Sequence, residues 1–251
     1  MNVRQDNHSL KLKGVLKKIY KIMTDILFPR RCPYCDKIVT PFGEKIHAKC
    51  LGKLRILSPP YCMKCGRKIG EGIGRCRECE TKKHFYIRGR CLYEYASAAP
   101  SIYRFKYSGR REYADVYGEQ AALYLGEFIK KTGADALVPV PIHRRRFIKR
   151  GYNQAELLAD GISLHTGIPV RKDILLRRRN TAPLKLLSPD ERQKNLKNAF
   201  IVCKNSVKLK TIILIDDIYT TGATIDEAAK TLRKAGIPDV YFVALAGGKG
   251  L

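Results

Sequence analysis

Thr211-Ile-Ile-Leu-Ile-Asp-Asp-Ile-Tyr-Thr-Thr-Gly-Ala-Thr224 is the stretch on which the fold of this chain turns. Thr211–Ile215 is β-branched at all positions but Leu214, which predicts a strand buried on both faces, as in a parallel sheet. Two acids, Asp216 and Asp217, follow at its carboxyl end, where open α/β sheets present their ligands. Thr220-Thr-Gly-Ala-Thr224 then opens a helix predicted over Thr224–Ala235 and closed by Gly236. Thr220, Thr221 and Thr224 offer hydroxyls, and the backbone N–H groups at a helix start suit a phosphate. Gly222 lets that phosphate approach the backbone, with Ala223 as a small neighbour. Asp216 and Asp217 can accept from the hydroxyls of a ribose or from water on a magnesium ion. Alone, an Asp-Asp pair is normally a turn and a threonine-rich loop a helix cap. Placed together after a buried strand, they point to a phosphorylated sugar.

Outward from this stretch, strands and helices alternate. Tyr113–Lys131 and Tyr152–His165 read as helices, and Ala136–Val140, Ile174–Leu176 and Val240–Ala246 as strands, which predicts an α/β domain with a parallel sheet. Glu191–Ala199 reads as a helix or turn, and residues 81–110 as a linker with an extended stretch at Tyr86–Tyr95. The expected organisation is a basic amphipathic helix over residues 1–29, a double zinc ribbon over 30–82 and the α/β domain over 83–251.

The ribbon rests on four knuckles at metal-ligand spacing: Cys32 with Cys35, His47 with Cys50, Cys62 with Cys65, and Cys76 with Cys79. A two-residue gap turns two ligands toward one tetrahedral ion, so eight ligands hold two ions, with zinc favoured over an iron–sulfur cluster or disulfides. Sequential pairing gives one site of Cys32, Cys35, His47 and Cys50 and another of Cys62, Cys65, Cys76 and Cys79, and interleaved pairing stays open. Cys91 and Cys203 sit in apolar surroundings and read as core residues.

The net charge is +26, and residues 1–90 hold 22 Lys/Arg against 7 Asp/Glu. Such a surface attracts polyanions. Basic residues threaded between the knuckles, with Tyr34 and Tyr61, suit single-stranded nucleic acid, while a solvated protein–protein module is the competing reading. Leu10–Phe28 has an apolar stripe that suits docking on the adjacent domain or lying on an anionic membrane. No apolar run is long enough for a membrane span, and no secretory signal is evident, so a cytoplasmic protein is expected.

The stretch Ile212–Thr224 resembles the phosphoribosyl-pyrophosphate signature of type I phosphoribosyltransferases. Phe105-Lys-Tyr-Ser-Gly-Arg110, Val138-Pro-Val-Pro-Ile-His-Arg-Arg-Arg146, Arg150-Gly-Tyr-Asn-Gln154 and Glu191-Arg-Gln-Lys-Asn195, with the four knuckles, extend the likeness to the ComF family of competence-associated proteins. The resemblance implies a type I phosphoribosyltransferase-like parallel sheet with flanking helices after a small double zinc ribbon. It also implies two structural zinc ions, magnesium, phosphoribosyl pyrophosphate and a role in single-stranded DNA uptake, with a competence helicase or translocase as a partner. The diphosphate would meet His143, Arg144, Arg145 and Arg146, with Arg150, Asn153 and Gln154 at the same rim. Lys106 and Arg110 would approach from a flexible segment, and Asp216, Asp217 and Arg144 would carry catalysis. Thr220 stands where the purine-salvage enzymes carry an acid, which argues against 6-oxopurine salvage, and Leu184 replaces the usual glutamine of the ComF pattern. Two functions are compatible with this: a phosphoribosyltransferase with an unassigned acceptor, and a non-catalytic nucleic-acid-binding or sensor module.

Overall fold

The computed structural model describes residue 23 and residues 27–178, 196–203 and 209–248. The amphipathic stretch Leu10–Phe28 lies almost wholly outside the described residues, as do Thr181–Leu184 and Glu191–Asn195.

After the cysteine-rich segment come a short helix α1 (Arg77–Thr81), strand β1 (Gly89–Glu94), helix α2 (Tyr95–Tyr107) and helix α3 (Tyr113–Lys131). Strand β2 (Ala136–Pro139), helix α4 (Arg144–Arg150) and helix α5 (Gln154–Thr166) follow. Strands β3 (Leu175–Arg177) and β4 (Phe200–Val202) form a separate antiparallel pair. Strand β5 (Thr211–Tyr219), helix α6 (Ala223–Lys234) and strand β6 (Asp239–Gly247) complete the described chain.

Among the described residues the main sheet has four strands in the order β1-β6-β5-β2, every neighbouring pair parallel. β5 is central because it can be buried on both faces. Ile212 and Leu214 pack with Ile225, Ala228, Ala229 and Leu232 of α6, while Ile213 and Ile215 pack with α2, α3 and α5. Each such Ile or Leu contributes about 1.5–3 kcal/mol by leaving water. α3 and α5 meet where Gly118 faces Gly161, and a Cβ on Gly118 would lie 2.5 Å from the Gly161 backbone.

Two expectations are corrected. β5 runs four residues beyond Ile215, so the two acids lie within the strand and not after it. The segment after β1 is not a linker but the 13-residue helix α2, with Pro100 inside it. The helix survives a proline because Ala98, Ile102 and Phe105 are buried on one face of it, and that packing outweighs the lost hydrogen bond. Among the described residues no helix is long and apolar enough to cross a membrane.

Candidate functional site: a cationic cavity over β5 and two cysteine clusters

At the carboxyl end of β5 and β2 lies a cavity of about 660 Å³. Its floor is Asp216, Asp217 and Ile218 of β5, and Thr220 and Thr224 stand beside them. Gly222 caps α6 with φ +78°, and a Cβ there would fall 2.4 Å from the Tyr219 hydroxyl, so glycine is required by both conformation and space. Thr221, Gly222 and Ala223 make the turn itself and are not on the cavity wall.

The two acids differ in surroundings. Asp217 forms an ion pair with Lys106 at 2.8 Å, while Asp216 accepts from the Asp217 backbone N–H at 2.8 Å. Burial, followed by the charge of Asp217, pushes Asp216 up to about 7. Lys106 stands in the last turn of α2, so it is delivered by a packed helix and not by a flexible segment.

The opposite wall is cationic. Arg146, Lys149 and Arg150 of α4 and Arg177 of β3 all face the cavity. Burial, then the charge of Arg146, holds Arg177 down to about 10, and burial with Arg150 lowers Arg146. Cations that depress one another make a field suited to a multiply charged anion. Tyr95 and Tyr107 add aromatic surface, and the Arg150 guanidinium lies 4.9 Å from the Tyr107 ring centre.

The expected diphosphate cluster is divided by the structure. Arg146 and Arg150 line the cavity, whereas Arg144 and Arg145 lie on the exposed side of α4. His143 is the N-cap of α4: its Nδ1 accepts from the Arg145 N–H at 3.2 Å, and it is not on the wall. Asn153 lines the cavity but is committed to capping α5 and to the Val140 carbonyl. Gln154 is buried and accepts from Arg150 at 2.8 Å, which steadies that arginine. Arg110 faces away, donating to Asp36 of the ribbon at 2.7 Å. Arg177, Tyr95, Tyr107 and Lys149 are wall residues that the sequence reading missed. Tyr107 lay inside the Phe105–Arg110 motif, while Arg177 carried no local signal.

The cysteine knuckles pair sequentially, and interleaving is excluded. Cys32, Cys35, His47 and Cys50 form one group and Cys62, Cys65, Cys76 and Cys79 the other, with the ligand atoms of each within 4.8 Å of one another. A tetrahedral zinc with ~2.3 Å bonds to sulfur sets its sulfurs ~3.8 Å apart, and Cys65 Sγ to Cys76 Sγ is 3.7 Å. His47 Nε2 meets the Ile38 carbonyl at 2.9 Å, so Nε2 carries the proton and Nδ1 turns to the thiols, 3.4 Å from Cys35 Sγ. Both donor sets fit closed structural zinc. Tyr34 is exposed, but the Tyr61 ring is covered by the Arg90 guanidinium at 4.2 Å.

A family profile described as a double zinc ribbon domain matches residues 23–81. Competence protein F of Haemophilus influenzae is 31% identical over 226 residues, covering 87% of this chain and 97% of its own. Competence protein ComFC of Bacillus subtilis is 28% identical over 89% of this chain and 92% of its own. The DNA utilization protein YhgH of Escherichia coli is 31% identical over 73% of this chain and 82% of its own. Among solved structures, a glutamine phosphoribosylpyrophosphate amidotransferase from B. subtilis, complexed with ADP and GMP, matches with TM-score 0.33 and 19% identity over 55% of this chain and 26% of its own. With paired cysteine clusters, a parallel sheet and this likeness over nearly the whole of a curated relative, the chain belongs to the ComF family of competence proteins.

Proposed function

We propose that the cavity binds magnesium–phosphoribosyl pyrophosphate and that the protein uses it in handling single-stranded DNA during competence. The observation that carries the reading is the register of β5: it sets Asp216 and Asp217 on the cavity floor and hands the chain directly to the turn at Thr220–Gly222 and the start of α6. Asp216 and Asp217 hold the ribose hydroxyls. Thr220 to Thr224, with the N–H groups at the start of α6, hold the 5′-phosphate. Lys106, Arg146 and Arg150 face the diphosphate, and Arg144 and Arg145 on the exposed side of α4 help draw the polyanion in.

Magnesium, when bound, neutralises charge on the diphosphate. In a transferase the bond from the anomeric carbon to the diphosphate oxygen breaks, the bond to the acceptor forms, and pyrophosphate leaves. The chain's contribution is to fix the sugar through Asp216 and Asp217 and to stabilise the leaving charge through its arginines. The DNA connection comes from the relatives, whose names refer to competence and to DNA utilization, and the basic ribbon fits it.

Calorimetry with magnesium–phosphoribosyl pyrophosphate tests the site. Wild type is expected to bind, and Asp216→Ala with Asp217→Ala to lose binding by at least ~100-fold. Equal binding by the two proteins would refute the assignment. Pyrophosphate release on adding single-stranded DNA or a base marks a transferase, and silence across a broad acceptor panel marks a binding module.

A further inference from the structure

The phosphate turn is held from behind by the second cysteine cluster. Arg67 lies between the Cys65 and Cys76 knuckles and is 4% exposed. Its Nη1 donates to the Thr220 carbonyl at 2.8 Å. Its Nη2 donates to Cys76 Sγ at 3.3 Å and is paired with the Glu78 carboxylate. The same guanidinium lies 5.4 Å from the centre of the Tyr219 ring. A guanidinium is a rigid planar fork, so a shift of the sulfur it touches moves the carbonyl it holds.

The residues just after the cluster brace the other side of the turn. Tyr86 and Tyr219 share a hydroxyl–hydroxyl bond of 2.7 Å. Asp226, in the first turn of α6, accepts from the Phe85 N–H at 2.9 Å and meets His84 Nδ1 at 2.5 Å. The strand end, the turn and the helix start are thus each tied to the ribbon side of the molecule.

We infer that Arg67 is a positioning residue that couples the metal state of the Cys62/Cys65/Cys76/Cys79 cluster to the shape of the phosphate turn. Zinc fixes the two knuckles, the knuckles fix Arg67, and Arg67 fixes the Thr220 carbonyl. By linkage, a ligand seated on the turn is felt at the metal. The ligand part of this statement rests on the proposed phosphoribosyl site, whereas the bracing of the turn does not.

The test uses the full chain as wild type, Arg67→Met and Arg67→Lys, each checked for two zinc ions by elemental analysis. Hydrogen exchange of the peptide covering residues 219–223 is expected to speed up about tenfold in R67M and less in R67K, with exchange in β2 unchanged. Unchanged exchange at 219–223 in R67M overturns the proposal. Binding of magnesium–phosphoribosyl pyrophosphate is expected to weaken at least tenfold in R67M. With cobalt replacing zinc, that ligand is expected to shift the thiolate–cobalt absorption in wild type and not in R67M. A ligand that binds wild type and R67M equally, or shifts both spectra alike, also overturns the coupling. Faster exchange in R67M together with a wild type that binds no phosphoribosyl pyrophosphate keeps the brace and rejects the ligand. If R67M does not fold, Glu78→Gln, which loosens Arg67 from one side, is expected to give a smaller rise at the same peptide, and no rise overturns the proposal.

Discussion

The two cysteine clusters share a knuckle chemistry but are attached to the rest of the molecule in opposite ways. The first has its own small core of Cys32, Val39 and Cys50, with Cys35 and Ile46 packed against it. It meets the α/β part through polar contacts: Arg110 and Tyr113 donate to Asp36, Ser101 and Arg104 donate to the Pro33 carbonyl, and Lys45 pairs with Glu119. The second cluster shares one continuous core with β5, β6 and α6. Each stands behind a different wall of the cavity. The first steadies α2, whose end carries Lys106, and the second steadies the turn at Thr220–Gly222. Polar attachment can fail in steps, whereas a shared core fails with the fold.

The sharpest way to break this contrast is to remove one ligand from each cluster. Cys65→Ser is expected to leave little soluble folded protein, since a structural zinc supplies ~10 kcal/mol in small domains and whole domains are stable by only about 5–15 kcal/mol. Cys50→Ser is expected to lose one zinc and keep a cooperative main transition in urea. Equal losses in the two would erase the distinction. A smaller effect is expected from Asp36→Asn, which weakens the bonds from Arg110 and Tyr113 and should cost about 1–3 kcal/mol in urea unfolding. A cost near zero would mean the first ribbon is held by something other than these bonds.

The smallest expected effect is a pH step in ligand affinity. Asp216, raised to about 7, is largely neutral at pH 6 and ionised at pH 8. At the proposed phosphoribosyl site the ionised form is the one suited to accept from ribose hydroxyls and from water on magnesium, so binding is expected to tighten roughly tenfold over that interval. The step should persist in Cys50→Ser, which leaves β5 untouched, and vanish in Asp216→Asn. Calorimetry at the two pH values measures it.

The sheet and the knuckles were legible because their signals are local. Thr211–Ile215 and Val240–Ala246 are short apolar runs, and α3 was placed at Tyr113–Lys131 because its periodicity is long and regular. Knuckle spacing gave the ligands but not their pairing, which only the folded chain decides. α2 lay in the stretch read as a linker because Pro100 interrupts its helical pattern, and it is Ile102 and Phe105, anchored in the core, that hold it helical. Of the wall residues, Asp216, Asp217, Lys106 and Arg146 belong to readable motifs. Arg177 reaches the wall only because β3 pairs with β4 beside it, a contact no local pattern announces. His143 and Arg110 have the right chemistry but spend it on a helix cap and on Asp36.

β1 follows soon after the second cluster, yet among the described residues its partner in the main sheet is β6, at the far end of the described chain. During synthesis the ribbon therefore leaves the ribosome well before the strand that completes its surroundings. At about 5–20 residues per second, the ~150 residues between them take roughly 8–30 s to make. For that interval the second set of thiols stands without its finished shelter. The core that the second cluster shares is complete only once β6 lies between β1 and β5.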